Sequence, residues 1–184
     1  MIFLDSKECK SQRLLLQLLD AKIFPSELLH DLSPDMESRI LHPMSVYAAA
    51  LSDDKKKLIA FASMTVTNER FYQRMRRGEA REEDFEVWDE KDTPLLFVRN
   101  LVVKDRRAAP YIFRTALKEL HRLFVDYELY VHRVFTIASH WATRRWLKAY
   151  DFGEVGSYNG KYPILLASRD KSAVVNSYLK RYEA

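Results

Sequence analysis

With 184 residues, 47% of them hydrophobic, the chain is long enough for one well-buried core and is expected to form a single domain. Its 30 basic and 26 acidic residues leave a net charge of +4; with a pI near 9.1 this permits an anionic ligand or a nucleic acid and requires neither. The single cysteine, Cys9, excludes an intramolecular disulfide and a cysteine-based metal cluster, and no apolar run reaches the roughly 18 residues of a bilayer span.

In chain order, Ile2-Phe3-Leu4 is a candidate short strand. Asp5 follows as a helix cap, with Glu8 three residues on to complete a capping box. Asp5, Lys7 and Glu8 also stand where a signal peptide would be apolar, so a cytoplasmic location is expected. Leu14, Leu15, Leu18 and Leu19 recur at helical spacing, with Cys9 as a small, partly buried residue on the same first helix. Pro25-Ser26 and Ser33-Pro34 read as helix starts, and His42-Pro43 as a stop. Residues 46–51 and 58–66 are apolar runs around the polar turn Ser52–Lys56, which predicts a hairpin.

The stretch from Asn68 to Asp92 is a charge-segregated insertion, arginine-rich and then acidic, helical around Phe71–Met75. It reads as a solvated surface or, because it interrupts two strands, as one wall of a substrate cleft. Leu95–Val103 is a β-branched strand, expected to be central, and Lys104–Ala109 a short basic turn. A helix entered through Pro110 follows, with Phe113, Ala116, Leu117, Leu120 and Phe124 on its core face. A strand delivering basic residues and backbone N–H groups to a helix N-terminus suits a phosphate or pyrophosphate. Arg106 and Arg107 are the guanidinium donors of that turn, unless it is merely a solvated one.

Val134–Ala138 is a short buried strand, and Ser139 a cap for a helix whose Ala142, Trp146, Ala149 and Tyr150 share a face. Asn159-Gly160, between Glu154–Tyr158 and Tyr162–Ala167, is the strongest hairpin signal in the chain. A final helix is expected over Ser172–Tyr182. His132, Arg133, His121 and Arg122 read as surface residues, and no His, Cys or carboxylate spacing implies a metal. Trp141, Arg144, Arg145 and Trp146 interleave aromatic rings with cations, as a nucleic-acid surface does and as an ordinary amphipathic helix also can.

This succession is strand, two helices, hairpin, strand, turn, helix, strand, helix and two strands. It resembles the GCN5-related N-acetyltransferase (GNAT) superfamily, with residue-level similarity over Phe97–Leu117 and His140–Tyr158. Arg107-Ala108-Ala109-Pro110-Tyr111-Ile112 aligns with the family's Arg/Gln-x-x-Gly-x-Gly/Ala pyrophosphate loop; Pro110 and Ile112 replace its glycines, and the proline removes an N–H donor. Trp146–Phe152, followed by Gly153, resembles the family's closing motif. Tyr150 falls near its acid position, Leu147 where many relatives keep that tyrosine, and Arg99 where some have a glutamate base.

The resemblance implies a single mixed, mostly antiparallel sheet flanked by helices, in an α/β (α+β) arrangement. It implies an acyltransferase using acetyl-CoA or another acyl-CoA, with direct attack by an acceptor amine. The fourth and fifth strands would splay to admit pantetheine beside Leu101, Val102 and Val103. The pyrophosphate would rest on Arg106, Arg107, Ala108, Ala109 and Tyr111, and backbone N–H groups near Val102 would face the oxyanion. His140 is a candidate base or ligand-orienting group, or else a cap; Tyr150 is a candidate acid, or else core. The replaced glycines support an alternative: a catalytically degenerate module of the same fold, binding a protein or a nucleic acid.

Overall fold

The computed structural model describes residues 1–13, 16 and 34–168. The expected helices over Leu14–Leu19, at Pro25 and over Ser172–Tyr182 lie outside those residues in whole or in large part. Seven strands form one mixed sheet in the order β1-β2-β3-β4-β5-β7-β6. They are β1 (Ile2–Leu4), β2 (Ser45–Leu51), β3 (Leu58–Asn68), β4 (Pro94–Val103), β5 (Arg133–Ile137), β6 (Gly153–Tyr158) and β7 (Tyr162–Ser168). The helices are α1 (Ser6–Ser11), α2 (Pro34–Leu41), α3 (Glu69–Arg76), α4 (Ala109–Asp126) and α5 (Trp141–Lys148). Only β4 and β5 run parallel among the described pairings, and the element order is the one the GNAT resemblance implies. No helix among the described residues is long and apolar enough to cross a membrane.

The chain clusters into two compact units, the first being Met1–Thr65 with Arg99–Glu128. Its β1 pairs antiparallel with β2, and β2 with β3, with a bulge at Ala50/Leu51. All seven residues of β2 are buried. The alanines Ala48, Ala49 and Ala50 leave room for α1 and α4 to pack across that strand. Asp5 and Glu8 form the capping box of α1, each side chain bonded to the other's backbone N–H at 2.9 Å. Cys9 is fully buried in the cluster of Leu4, Leu16, Tyr47, Ala49, Leu51, Leu58 and Phe61. Burial pushes its thiol far above the ordinary range, so it is inert packing. On α4 the buried stripe is Ile112, Ala116, Leu120 and Leu123, with Phe113, Leu117 and Phe124 at its half-buried margin. The expected face is thus rotated by about one position.

The second unit comprises Val66–Val98 and the described part of Leu129–Ala184. Its core is aromatic. Phe97 and Phe135, paired across β4 and β5, stack at 4.6 Å, while Tyr72 and Phe71 pack against them at 5.0 and 5.9 Å. Such offset rings add about 0.5–1.5 kcal/mol per pair beyond the area they bury.

The insertion is not a solvated charge run. Phe71, Tyr72, Met75, Ala80 and Phe85 are buried, and the opposite charges close on one another. Arg70 donates to Glu86 at 2.7 and 3.1 Å, and Arg74 donates to its other oxygen at 2.8 Å. Burial alone would push Glu86 up, but the Arg70 and Arg74 guanidiniums hold it below its ordinary value. Asn68 accepts from the Asp89 N–H at 3.1 Å, and the Tyr158 hydroxyl accepts from the Glu82 N–H at 3.2 Å. Arg133, expected at the surface, is half-buried and forked to Glu69 at 2.5 and 3.2 Å. The Asn159-Gly160 turn has φ of 52° and 65°, the left-handed pair that a tight hairpin demands.

Candidate functional site

The strand β4 belongs to the second unit as far as Val98 and to the first from Arg99, where it runs into the expected turn. Its residues Leu95–Phe97 are buried, whereas Val98–Val102 are half-exposed and Val103 is 36% exposed. A strand fourth of seven in its sheet is normally covered throughout, so solvent reaching its second half is a departure that asks for a reason. Lys104 N–H donates to Ile59 O at 2.8 Å and ties the end of β4 to β3.

The turn then tightens into a 3-10 helix over Arg106–Ala108, and α4 begins at Ala109, with Pro110 in its first turn. Asp105 caps it: its Oδ1 accepts from Arg107 N–H at 2.9 Å. Ala108 N–H donates to Asp105 O at 3.0 Å, and Ala109 N–H donates to Arg106 O. Three donors that a pyrophosphate would use are therefore committed inside the turn, and Pro110 offers none. These three N–H groups are not available to an anion while the turn keeps this shape.

The side chains give a different result. Arg107, 81% exposed, is gripped by Asp105, its Nε 3.1 and 3.0 Å from the two carboxylate oxygens and its Nη2 2.6 Å from Oδ2. The Arg107 guanidinium and its N–H hold the Asp105 carboxyl down to about 2. Arg106 is exposed and has no ion-pair partner among the described residues. The turn thus presents one guanidinium unpaired among the described residues and one occupied by a neighbour. Asp105 was not singled out from the sequence, although its place two residues before Arg107 is the signal for such a fork. Tyr111 is half-exposed, its ring 4.2 Å from that of Phe3.

Arg99, where a base would stand, is a half-buried cation that cannot take up a proton. Burial pushes the hydroxyl of Tyr47 up, opposed by the nearby Arg99 charge.

In the second unit, His140 caps α5, its Nδ1 accepting from Ala142 N–H at 3.2 Å. Ser139, the expected cap, is not the one used. Tyr150 lies beyond the other end of the helix, its ring 4.8 Å from Trp146. Eight helical residues, about 12 Å of rise, separate them, so they do not converge on one atom. The face of α5 also differs from expectation: Leu147 is buried with Ala138 and Leu165, and Phe152 packs on them. Ala142, Trp146 and Ala149 are exposed. Among the described residues no group of three or more His, Cys, Asp or Glu is placed to hold a metal ion.

No family model matches the chain, and no curated protein does. Solved structures do resemble it. Arabidopsis thaliana NAA60 in complex with acetyl-CoA is 15% identical, covering 90% of this chain and 95% of its own, with a TM-score of 0.49. The aminoglycoside 6'-N-acetyltransferase AAC(6')-Ih from Acinetobacter baumannii is 14% identical, covering 84% and 91%, with a TM-score of 0.45. A mutant AtaT toxin bound to the C-terminus of the antitoxin AtaR is 10% identical, covering 81% and 75%, with a TM-score of 0.44. At these identities, and with TM-scores below 0.5, the likenesses carry no argument of their own; the element order that resembles the GNAT one is read from this chain's sheet. The chemistry has to be argued from this chain's own residues.

Proposed function

We propose that the chain is an acyl-CoA-dependent acyltransferase, in its simplest form an N-acetyltransferase working by direct transfer to an acceptor amine. One observation carries the reading: the second half of a central strand is partly exposed and runs straight into a turn that exposes Arg106. The fit to coenzyme A is through side chains. Arg106, and Arg107 once it leaves Asp105, would hold the phosphates, with Ala108, Ala109 and Tyr111 beside them at the entrance to α4. Leu101, Val102 and Val103 offer backbone groups for an extended amide-bearing arm.

Bound acyl-CoA supplies an activated thioester carbonyl. The chain's part is to position and polarise it: N–H groups near Val102 serve as fixed donors to the carbonyl oxygen. Arg99 cannot act as base, so the acceptor amine enters neutral or loses its proton to water. Tyr150 is the candidate proton donor in this reading, because the Nδ1 of His140 already serves the helix. The committed N–H groups of the turn favour a second reading, a degenerate fold that binds a protein or nucleic acid without chemistry.

Calorimetric titration of the full chain with acetyl-CoA and with coenzyme A separates the two. The enzyme reading expects binding by both, weakening with salt as exposed charge pairs are screened. Absence of heat at millimolar ligand removes it and leaves the binding module.

A further inference from the structure

Helix α5 is the most exposed of the described regular elements of its unit, and what it exposes is unusual. Trp141 is 70% and Trp146 43% exposed, on a helix with a single fully buried residue, Leu147. At about 100° per residue, Trp141, Arg144, Arg145 and Lys148 fall within an arc of about 100°. Ala149, Ala142 and Trp146 continue from that arc as an exposed apolar stripe. The helix holds no acidic residue. Arg144 pairs with Glu154, whereas Arg145 and Lys148 have no ion-pair partner among the described residues. His140 sits at the head of the arc, its ring 5.8 Å from that of Trp141.

We infer that this face of α5 docks single-stranded nucleic acid, a base stacking on Trp141 while phosphates meet Arg145 and Lys148. An indole left largely in water costs hydrophobic free energy, and cations side by side repel. One partner removes both penalties by bringing flat apolar rings and negative charge together at close spacing. A duplex hides its bases and would use the cations alone. An acidic peptide supplies charge without a repeated ring. A chain carrying a net +4 has no global repulsion to overcome. The inference uses no residue of the Arg106–Ala109 turn, and its test is run without acyl-CoA, so it does not rest on that reading.

The test is fluorescence anisotropy of a labelled oligothymidylate at low salt, with the full chain and no acyl-CoA present. Binding is expected, and Trp141→Ala should weaken it roughly five-fold or more, while Trp141→Phe, which keeps a ring, restores most of it. Arg145→Ala with Lys148→Ala should lower the slope of log affinity against log salt by about 1.4. All three side chains lie on the exposed face, so the variants should keep the parent's circular dichroism. No binding at low salt sinks the inference. So does binding indifferent to Trp141→Ala, which is charge attraction only. Equal competition by polyglutamate, or tighter binding to anionic lipid vesicles, replaces nucleic acid with a protein or a membrane as the occupant.

Discussion

Exchanging Asp105 for asparagine should tighten the binding of coenzyme A, and the reason lies in how the turn divides its charge. Asp105 performs two tasks: it caps the 3-10 turn through Arg107 N–H, and its carboxylate holds the Arg107 guanidinium through three contacts of 2.6–3.1 Å. Asparagine caps nearly as well as aspartate, so the turn survives while the anion goes. A phosphate then meets a released guanidinium and no competing carboxylate. The four-variant comparison gives the magnitudes. In the parent, Arg106→Ala should weaken coenzyme A about ten-fold, the loss of one exposed charge-assisted contact, and Arg107→Ala should change it little. In the Asp105→Asn background, Arg107→Ala should cost several-fold more than it does in the parent. Because Arg107 holds the Asp105 carboxyl down to about 2, the fork itself persists throughout the neutral range. Its contribution to stability is present above the ordinary aspartate value of 3.8 and is lost as pH falls through about 2. Calorimetry on the parent and the four variants measures the binding differences. If Arg107→Ala costs as much in the parent as in the Asp105→Asn protein, the fork does not control the turn and the reasoning fails.

Other consequences concern the second unit. Leu147→Ala should destabilise by about 2–3 kcal/mol in chemical denaturation, whereas Trp146→Ala, which loses a partly exposed ring and its contact with Tyr150, should cost about 0.5–1.5 kcal/mol; the reverse ranking would restore the face expected from sequence. His140→Ala should lose about 1 kcal/mol of cap while His140→Asn keeps it; if neither variant loses acyl transfer, His140 is structural only. Gly160→Ala should cost about 1 kcal/mol, because alanine tolerates its φ of 65° poorly, and an unchanged melting temperature would show that the hairpin does not depend on that turn.

Where a signal is local, the sequence and the structure agree. The Asp5/Glu8 box, the Asn159-Gly160 turn and the β-branched run of β4 each reside in a few neighbouring residues whose backbone preferences are strong. Pairings made over distance were not legible. Nothing in residues 68–92 announces that Arg70 and Arg74 share Glu86, or that Arg133 reaches Glu69 64 positions away, so the insertion looked solvated when it is a packed element. The face of α5 failed for a different reason. Two helical turns are too short for a periodicity to choose between Leu147 and the bulkier Trp146. At the turn, the guanidiniums were visible but their inequality was not, since only geometry shows Arg107 folded back onto Asp105.

The central claim is that acyl-CoA lies along the second half of β4 and its turn. The most direct measurement is amide hydrogen exchange of the whole chain with and without acetyl-CoA. New protection should appear at Leu101–Val103 and change little at Arg107, Ala108 and Ala109, whose N–H groups are already bonded within the turn. Protection elsewhere with none at Leu101–Val103, or no protection at millimolar ligand, would contradict the account.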